Sequence, residues 1–325
     1  MGEGWEILLP IADKILYKLC ITKGGSILKN FKLEGVYTAL FSLYDENMNV
    51  LKNSVDSLID YNIQKGIKGF YVGGGTGECT VLPNRTRKQM LETVKAHSGK
   101  FETIAHIGAG HFEDTMDLLE HANSVGVDAV SSLPPSLTAY YSADETFEYY
   151  KILAEKSNAP VLAYITPMLQ CDIIAFVKKL MELENIIGIK LTIPDYHLFE
   201  QIKAIVGEKC NLMNGPDECM LAGLSMGADG AIGTTYNIMP KTACEIYDSF
   251  MKGDMKQALH KQNQLNRVID FLLSYNHNFA YWKLPLKVLG IDVGYTVKPS
   301  KLPDSDEIEN VLTKLLETQF AKEIE

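Results

Sequence analysis

The sequence has little of what marks metal-binding or secreted proteins. Its 325 residues contain six cysteines, scattered at 20, 79, 171, 210, 219 and 244. They form no C-x-x-C pair, and no Cys/His set has the spacing of a zinc site. Scattered cysteines of this kind are typical of reduced thiols in a cytoplasmic protein. The sequence therefore predicts a cytoplasmic protein without a metal.

Long apolar runs and an excess of basic residues are also missing. No uninterrupted apolar run reaches the roughly 18 residues that a membrane span needs. The N-terminal stretch carries Glu3, Glu6 and Asp13 and lacks the basic start of a signal peptide, so none is expected. With 31 Lys and Arg against 41 Asp and Glu, the net charge is −10. This balance argues against nucleic acid and membrane as partners, but not against a small anionic substrate.

What the chain does contain is a series of eight short, near-continuous apolar stretches, with amphipathic helical stretches between them. They lie at 35–42, 69–75, 101–108, 128–134, 160–167, 186–192, 211–215 and 227–237. Continuous apolar strands are typical of parallel sheets covered on both faces. Eight strand–helix units predict an α/β fold, a (β/α)8 TIM barrel. The alternative, a doubly wound open sheet, predicts a G-x-G-x-x-G turn, which neither "GGGTGE" nor "GAGHFE" matches.

Two segments lie outside these eight units. Residues 1–33 predict a short N-terminal helical extension before a barrel at 34–240. Residues 241–325 predict the final barrel helix and a C-terminal helical extension, packed on the barrel or on another subunit. Because no linker interrupts the pattern, we expect a single domain overall.

In a (β/α)8 enzyme the active site forms at the C-terminal ends of the strands, so polar residues there are the first candidates. The stretch "IIGIKLT" places Lys190 at the end of a buried strand. Burial of an ammonium group is costly and favours the neutral amine, which attacks carbonyl carbon to form a Schiff base. The structural alternative is a lysine whose head extends out of the barrel. Tyr164 ends the preceding strand and is either a proton relay or a core aromatic.

Three further strand ends carry candidate binding residues. The stretch "GGGTGE" (73–78), which we call the glycine loop, can offer backbone N–H groups and the Thr76 hydroxyl to an anion, or can be a plain tight turn. In "NGPDE", Asp217 and Glu218 can bind a polyol or cap the next helix. In "GTTYN", Thr234 is a possible sugar contact.

The motifs "GGGTGE", "YITP" and "GIKLT", in that order, resemble the N-acetylneuraminate lyase and dihydrodipicolinate synthase superfamily of class I Schiff-base aldolases. The resemblance runs from about residue 33 to about residue 303. It is nearest the N-acetylneuraminate lyase branch, which "NGPDE" and "GADGAIGTTYNIMP" favour. Leu169 points the same way, because the synthase branch usually has an arginine there.

The resemblance implies a role for each candidate. Lys190 would form the imine with the keto carbon of pyruvate, and Tyr164 would shuttle the proton at the cleaved bond. Gly75 and Thr76 would bind the pyruvate carboxylate. The sugar end would be lined by Thr192, Gly215, Asp217, Glu218 and Thr234. No cofactor beyond the imine is implied, the partner would be a small keto acid or sugar acid, and members are commonly homotetramers or at least dimers.

Two departures from the family pattern keep alternatives open. Gly75 stands where a hydroxyl residue is usual, and Leu137 stands where a tyrosine of the proton relay is usual, with Tyr140 and Tyr141 falling later. The first hypothesis is a lyase that cleaves N-acetylneuraminate. The second is another 2-keto-acid aldolase or a dihydrodipicolinate-type synthase. The third, of another class, is a non-catalytic barrel that binds a keto acid or a sugar.

Overall fold

A closed barrel of eight parallel strands forms the centre of the molecule. The computed structural model describes residues 32–135, 141–169, 171–275 and 277–325. The strands are β1 (Gly35–Ala39), β2 (Gly69–Val72), β3 (Glu102–His106), β4 (Ala129–Ser132), β5 (Val161–Ile165), β6 (Ile186–Leu191), β7 (Asn211–Asn214) and β8 (Gly230–Gly233). Each strand pairs with the next, and β8 pairs with β1 to close the sheet. The predicted (β/α)8 barrel is confirmed.

Helices alternate with the strands and continue after them. Those between strands are α1 (Lys52–Gln64), α2 (Asn84–Ala96), α3 (Phe112–Val125), α4 (Ala143–Lys156), α5 (Ile173–Leu180), α6 (Tyr196–Val206) and α7 (Met220–Ser225). Those after β8 are α8 (Pro240–Met251), α9 (Met255–Leu273), α10 (Phe279–Trp282), α11 (Pro285–Val288), α12 (Ser305–Leu316) and α13 (Phe320–Ile324). Short 3₁₀ turns at Asp217–Cys219 and Thr235–Asn237 follow β7 and β8. None of the helices in the described ranges has the length and apolarity needed to cross a membrane.

The strands are buried on both faces, as their continuous apolar sequences require. One set of side chains fills the barrel, and the other packs against the surrounding helices. The inner set comprises Leu33, Tyr37, Ala39, Tyr71, Ile104, Ala129, Leu162, Ile187, Met213 and Ile232. Phe70 and Ile189, which neighbour an inward residue in sequence, belong to the outer set. This alternation decides which polar side chains of a strand reach the barrel interior.

The helices after β8 contact the rest of the same chain. The buried carboxylate of Glu323 in α13 accepts hydrogen bonds from the backbone N–H groups of Lys241 (2.6 Å) and Thr242 (3.0 Å), and from the Thr242 hydroxyl (2.6 Å). It therefore caps the first turn of α8, where a negative charge is favourable. Of the predicted N-terminal extension, residues 1–31 lie outside the described residues. The proposed limits of barrel and extensions stay a prediction.

Candidate active site

Lys190 is buried inside the barrel. Only 6% of the residue is exposed, and its Nζ lies 4.4 Å from the ring centroids of both Tyr71 and Tyr164. Tyr71 lies on β2 and Tyr164 lies on β5. In the sheet, Tyr164 pairs directly with Lys190 of β6. Two ring faces offer a cation partial compensation for lost water, without neutralising it as a carboxylate would. The alternative of a lysine head extending out of the barrel is wrong.

The hydroxyl of Tyr164 is linked to the end of β6. Thr192 Oγ1 donates to Tyr164 Oη at 3.3 Å, and both residues are half-buried. Gly215, which follows β7, lies beside them: a Cβ atom there would be 1.9 Å from Thr192 Oγ1. Only glycine allows the backbone after β7 to approach this hydroxyl so closely. Lys190, Tyr164, Thr192 and Gly215 therefore form one contiguous group.

The glycine loop lies at the end of β2 and reaches across to the end of β8. Thr76 Oγ1 and Thr234 Oγ1 are 2.6 Å apart, so these two predicted binding residues are brought together. Gly75 is exposed, and a Cβ atom built on it would meet no atom within 4 Å. The loop therefore presents an unobstructed backbone at Gly75 next to the buried hydroxyl of Thr76.

The start of the glycine loop is held by two residues that sequence reasoning missed. The Arg87 guanidinium donates to the carbonyl oxygens of Gly73 (3.2 Å) and His106 (2.9 Å), and His106 Nδ1 lies 3.1 Å from the same Gly73 oxygen. Burial lowers the pKa of His106 well below its ordinary value, and the nearby Arg87 cation acts in the same direction. A neutral His106 with its proton on Nδ1 satisfies this arrangement.

Asp217 and Glu218 differ in their surroundings. Asp217 is 8% exposed, and one of its carboxylate oxygens accepts from both the backbone N–H and the hydroxyl of Thr235, each at 2.7 Å. It therefore caps the 3₁₀ turn after β8. Burial raises its pKa to about 6, against the opposing effect of the two Thr235 hydrogen bonds. Glu218 is exposed, and its backbone carbonyl accepts from Asn266 Nδ2 at 3.1 Å.

The raised pKa of Asp217 predicts a pH-dependent stability that Asp217→Asn removes. A carboxyl group whose pKa is higher in the folded state stabilises most below its unfolded pKa of about 4, and this stabilisation is lost as the pH rises through about 6. Between about pH 4 and pH 7, we expect the wild type to lose about 2–3 kcal/mol more unfolding free energy than the variant, since one pKa unit equals about 1.4 kcal/mol. Urea unfolding at the two pH values measures this difference.

The matched control for this prediction is the neighbouring Glu218→Gln, because Glu218 is exposed. Its unfolding free energy should follow that of the wild type at both pH values. Parallel curves for the wild type and Asp217→Asn would contradict the prediction.

The aromatic residues expected after β4 are only partly described. Leu137 and Tyr140 lie outside the described residues, whereas Tyr141 is 46% exposed. Their part in a proton relay stays a prediction. In the ranges that the structure covers, no three His, Cys, Asp or Glu side chains are grouped so that they could hold a metal ion.

Tyr71 is the principal site residue that the sequence did not reveal. Besides facing Lys190, its hydroxyl donates to Ser131 Oγ of β4 at 3.0 Å, and its ring packs edge-on against Tyr164. The sequence carried no signal for it, because β2 is buried on both faces. Lys190 thus has an aromatic wall on two sides.

Known proteins resemble this chain along most of its length. Residues 32–319 match the model of the dihydrodipicolinate synthetase family. An N-acetylneuraminate lyase of Rhizobium meliloti (strain 1021) is 36% identical over 280 residues, which cover 85% of this chain and 92% of the relative.

Solved structures give the same result for the fold. The Clostridium difficile protein CdNal, crystallised in complex with mannosamine, aligns with a TM-score of 0.82 and 27% identity, covering 88% of this chain and 99% of that one. A catalytic lysine mutant of the Ruminococcus gnavus sialic acid aldolase aligns with a TM-score of 0.82 and 26% identity, covering 92% and 98%. The predicted resemblance is confirmed, and the chain belongs to the dihydrodipicolinate synthetase family, on the side of its N-acetylneuraminate lyases.

Proposed function

We propose that this protein is a lyase that cleaves N-acetylneuraminate into N-acetylmannosamine and pyruvate through a Schiff base on Lys190. The observation that carries the proposal is the position of Lys190, an amine buried in the barrel 4.4 Å from the rings of Tyr71 and Tyr164. The similarity of the chain to N-acetylneuraminate lyases supports the choice of substrate. The reaction needs no group beyond the side chains and the substrate.

The chemistry begins at the keto carbon, C2, of the open-chain sugar acid. The Lys190 amine adds to C2, and the hydroxyl of the resulting carbinolamine takes the Tyr164 proton and leaves as water, which gives a protonated imine and a phenolate. Tyr164 then accepts the proton of the C4 hydroxyl while the C3–C4 bond breaks. The C4 carbon becomes the aldehyde of N-acetylmannosamine, and the bonding electrons move to the imine to give an enamine. Tyr164 returns this proton to C3 of the enamine, and addition of water then releases pyruvate and regenerates the amine and the phenol.

The ends of the substrate have separate binding groups. The carboxylate is bound by the Thr76 hydroxyl and the backbone N–H groups of Gly75 and Thr76. The sugar end is bound by Thr192, Gly215, Asp217, Glu218 and Thr234. The 2.6 Å distance between Thr76 Oγ1 and Thr234 Oγ1 supports this division, because each proposed group contributes one residue to that pair. Thr192, a residue of the proposed sugar end, donates a hydrogen bond to the Tyr164 hydroxyl. This contact supports a role for the Tyr164 phenol next to the sugar.

Borohydride trapping with pyruvate tests the proposal. A reduced adduct that peptide mass spectrometry locates on Lys190 would demonstrate the imine, and release of pyruvate from N-acetylneuraminate would demonstrate the lyase. Absence of an adduct in folded protein with excess pyruvate would refute the Schiff-base mechanism. It would favour the non-catalytic keto-acid- or sugar-binding barrel.

A second candidate, another 2-keto-acid aldolase, is favoured by one observation, the open space at Gly75. Adduct formation with pyruvate but no cleavage of N-acetylneuraminate would select this candidate. A dihydrodipicolinate-type synthase fits less well, because position 169 holds a buried leucine and no cation for a second carboxylate.

Gly75→Ser is expected to increase the affinity for pyruvate. The new hydroxyl has room and can donate to the carboxylate, and a hydrogen bond to a charged group contributes about 1.5–3 kcal/mol, or about 10-fold in affinity at the lower limit. The pyruvate concentration that gives half-maximal trapping measures the change. Gly75→Ala is the matched control, because it adds the Cβ atom alone; equal behaviour of the two variants would contradict the prediction.

The proposed assembly follows from the family resemblance, and the proposed location follows from the cysteine composition. We place it in the cytoplasm as a homotetramer or dimer, without a metal or other cofactor. The five cysteines in the described residues are free thiols, which agrees with a reducing compartment. Light scattering that gives a monomer mass would refute the oligomer.

A further inference from the structure

The glycine loop ends on a residue in an unfavourable backbone conformation. Glu78 has φ 59°, in the left-handed region that a residue with a Cβ atom rarely adopts. Such a conformation persists only where the surroundings hold it in place. The side chain of Glu78 provides that hold, because it is buried and its carboxylate pairs with another segment of the chain. Only 7% of the residue is exposed.

The Glu78 carboxylate is part of a buried network that reaches the C-terminal helices. One oxygen forms an ion pair with Lys283 Nζ, and the other accepts from the Tyr44 hydroxyl at 2.9 Å. Lys283, which lies between α10 and α11 and is 2% exposed, also donates to the Ser42 carbonyl at 2.8 Å. Its Nζ lies 4.7 Å from the centroid of the Tyr44 ring. The ammonium thus joins three segments of the chain behind the loop.

Two hydrogen bonds connect this network to the part of the glycine loop that would bind a carboxylate. The N–H of Glu78 donates to the carbonyl of Gly75 at 2.9 Å, and Ser42 Oγ donates to the carbonyl of Gly77 at 3.0 Å. A shift of Glu78 would therefore move the peptide groups of Gly75 and Thr76. A carboxylate cradle built from backbone N–H groups depends on their orientation.

We propose that Glu78 and Lys283 are positioning residues for the keto-acid carboxylate. The ion pair, which we call the Glu78–Lys283 clamp, fixes the glycine loop with the N–H groups of Gly75 and Thr76 directed at the substrate. The inference rests on the proposed function, because it assigns the clamp to the carboxylate site of that reaction. It also gives the C-terminal helices a part in substrate binding, through Lys283.

The test separates positioning from plain stabilisation. The double variant Glu78→Gln/Lys283→Met removes both charges together, so that neither is left buried without a partner. We expect the folded variant to need about 10-fold more pyruvate, or more, for half-maximal trapping, since a misaligned charged hydrogen bond loses that much affinity. The rate at saturating substrate should change much less than KM, because Lys190 and Tyr164 are untouched.

The control is a second ion pair far from the loop in sequence, Lys261 with Glu245, whose charged atoms are 2.6 Å apart between α9 and α8. Lys261→Met/Glu245→Gln should alter thermal stability without altering the pyruvate concentration for half-maximal trapping. If the clamp variant is poorly folded, Tyr44→Phe serves in its place, because it removes a hydrogen bond to Glu78 and leaves the two charges paired. An intermediate rise in that concentration is then expected.

Two results would overturn the inference, and they are distinguishable. A clamp variant that loses stability but traps pyruvate with the half-saturation of the wild type would leave the proposed function intact and refute the clamp. A wild-type protein that forms no adduct on Lys190 would refute the proposed function and the clamp with it.

Discussion

Lys190→Met is expected to abolish trapping of pyruvate and to lower kcat for N-acetylneuraminate cleavage by about 10⁴-fold or more, because the covalent route is lost. Methionine fills a similar volume and keeps an apolar stem between the rings of Tyr71 and Tyr164. The fold should therefore survive the change. Borohydride reduction with intact-mass analysis and a continuous pyruvate assay measure the two effects.

The matched control for this variant is Lys178→Met on α5, where the lysine is exposed. It should trap pyruvate and cleave substrate as the wild type does. If Lys190→Met still formed an adduct that mapped to another lysine, the assignment of the nucleophile would be wrong.

Tyr164→Phe is expected to lower kcat by about 10²- to 10⁴-fold, the usual contribution of a general acid–base group. The variant removes the hydroxyl and keeps the ring that faces Lys190. Pyruvate should therefore still accumulate as an adduct on Lys190 over a long incubation. Loss of cleavage with retention of the adduct is the result that separates the role of Tyr164 from that of Lys190.

Thr192→Val is the companion experiment, because it removes the hydrogen bond to Tyr164 Oη and leaves the phenol in place. We expect a smaller loss of kcat than for Tyr164→Phe. A Tyr164→Phe enzyme that cleaves at the wild-type rate would show that another group accepts the proton of the substrate hydroxyl.

The barrel was predictable because its signal is spread over the whole chain. Eight apolar strands with helices between them leave few other topologies. The limits of the C-terminal helices were less predictable. Within this extension α10 ends at Trp282 and α11 begins at Pro285, which has no N–H to continue α10 and suits the first position of a helix.

Parts of the site followed from topology alone. Lys190 and Tyr164 end adjacent strands, so their proximity is a consequence of strand order, and the register pairs them directly. The direction of Tyr71 did not follow, because a strand buried on both faces gives no indication of which face is inward. Phe70 and Tyr71 are both aromatic, yet only Tyr71 faces Lys190.

Contacts between distant segments were beyond the reach of sequence patterns. Asp217 and Thr235 belong to loops after different strands, so a capping role for Asp217 could be considered but not directed at Thr235. Glu78 and Lys283 are 205 positions apart, and no local pattern links them. Such pairs depend on the packing of whole helices against the barrel.

Glu323 caps α8 from 81 positions further along the chain, so during synthesis the helix emerges well before its cap. At that stage all eight strands have been made, while the first turn of α8 depends on water for its hydrogen bonds. A contact of this sequence separation forms late and slowly, because a long loop must close first. The nascent barrel therefore passes through an interval in which the first turn of α8 has no protein cap, so its N–H groups are open to solvent until Glu323 arrives.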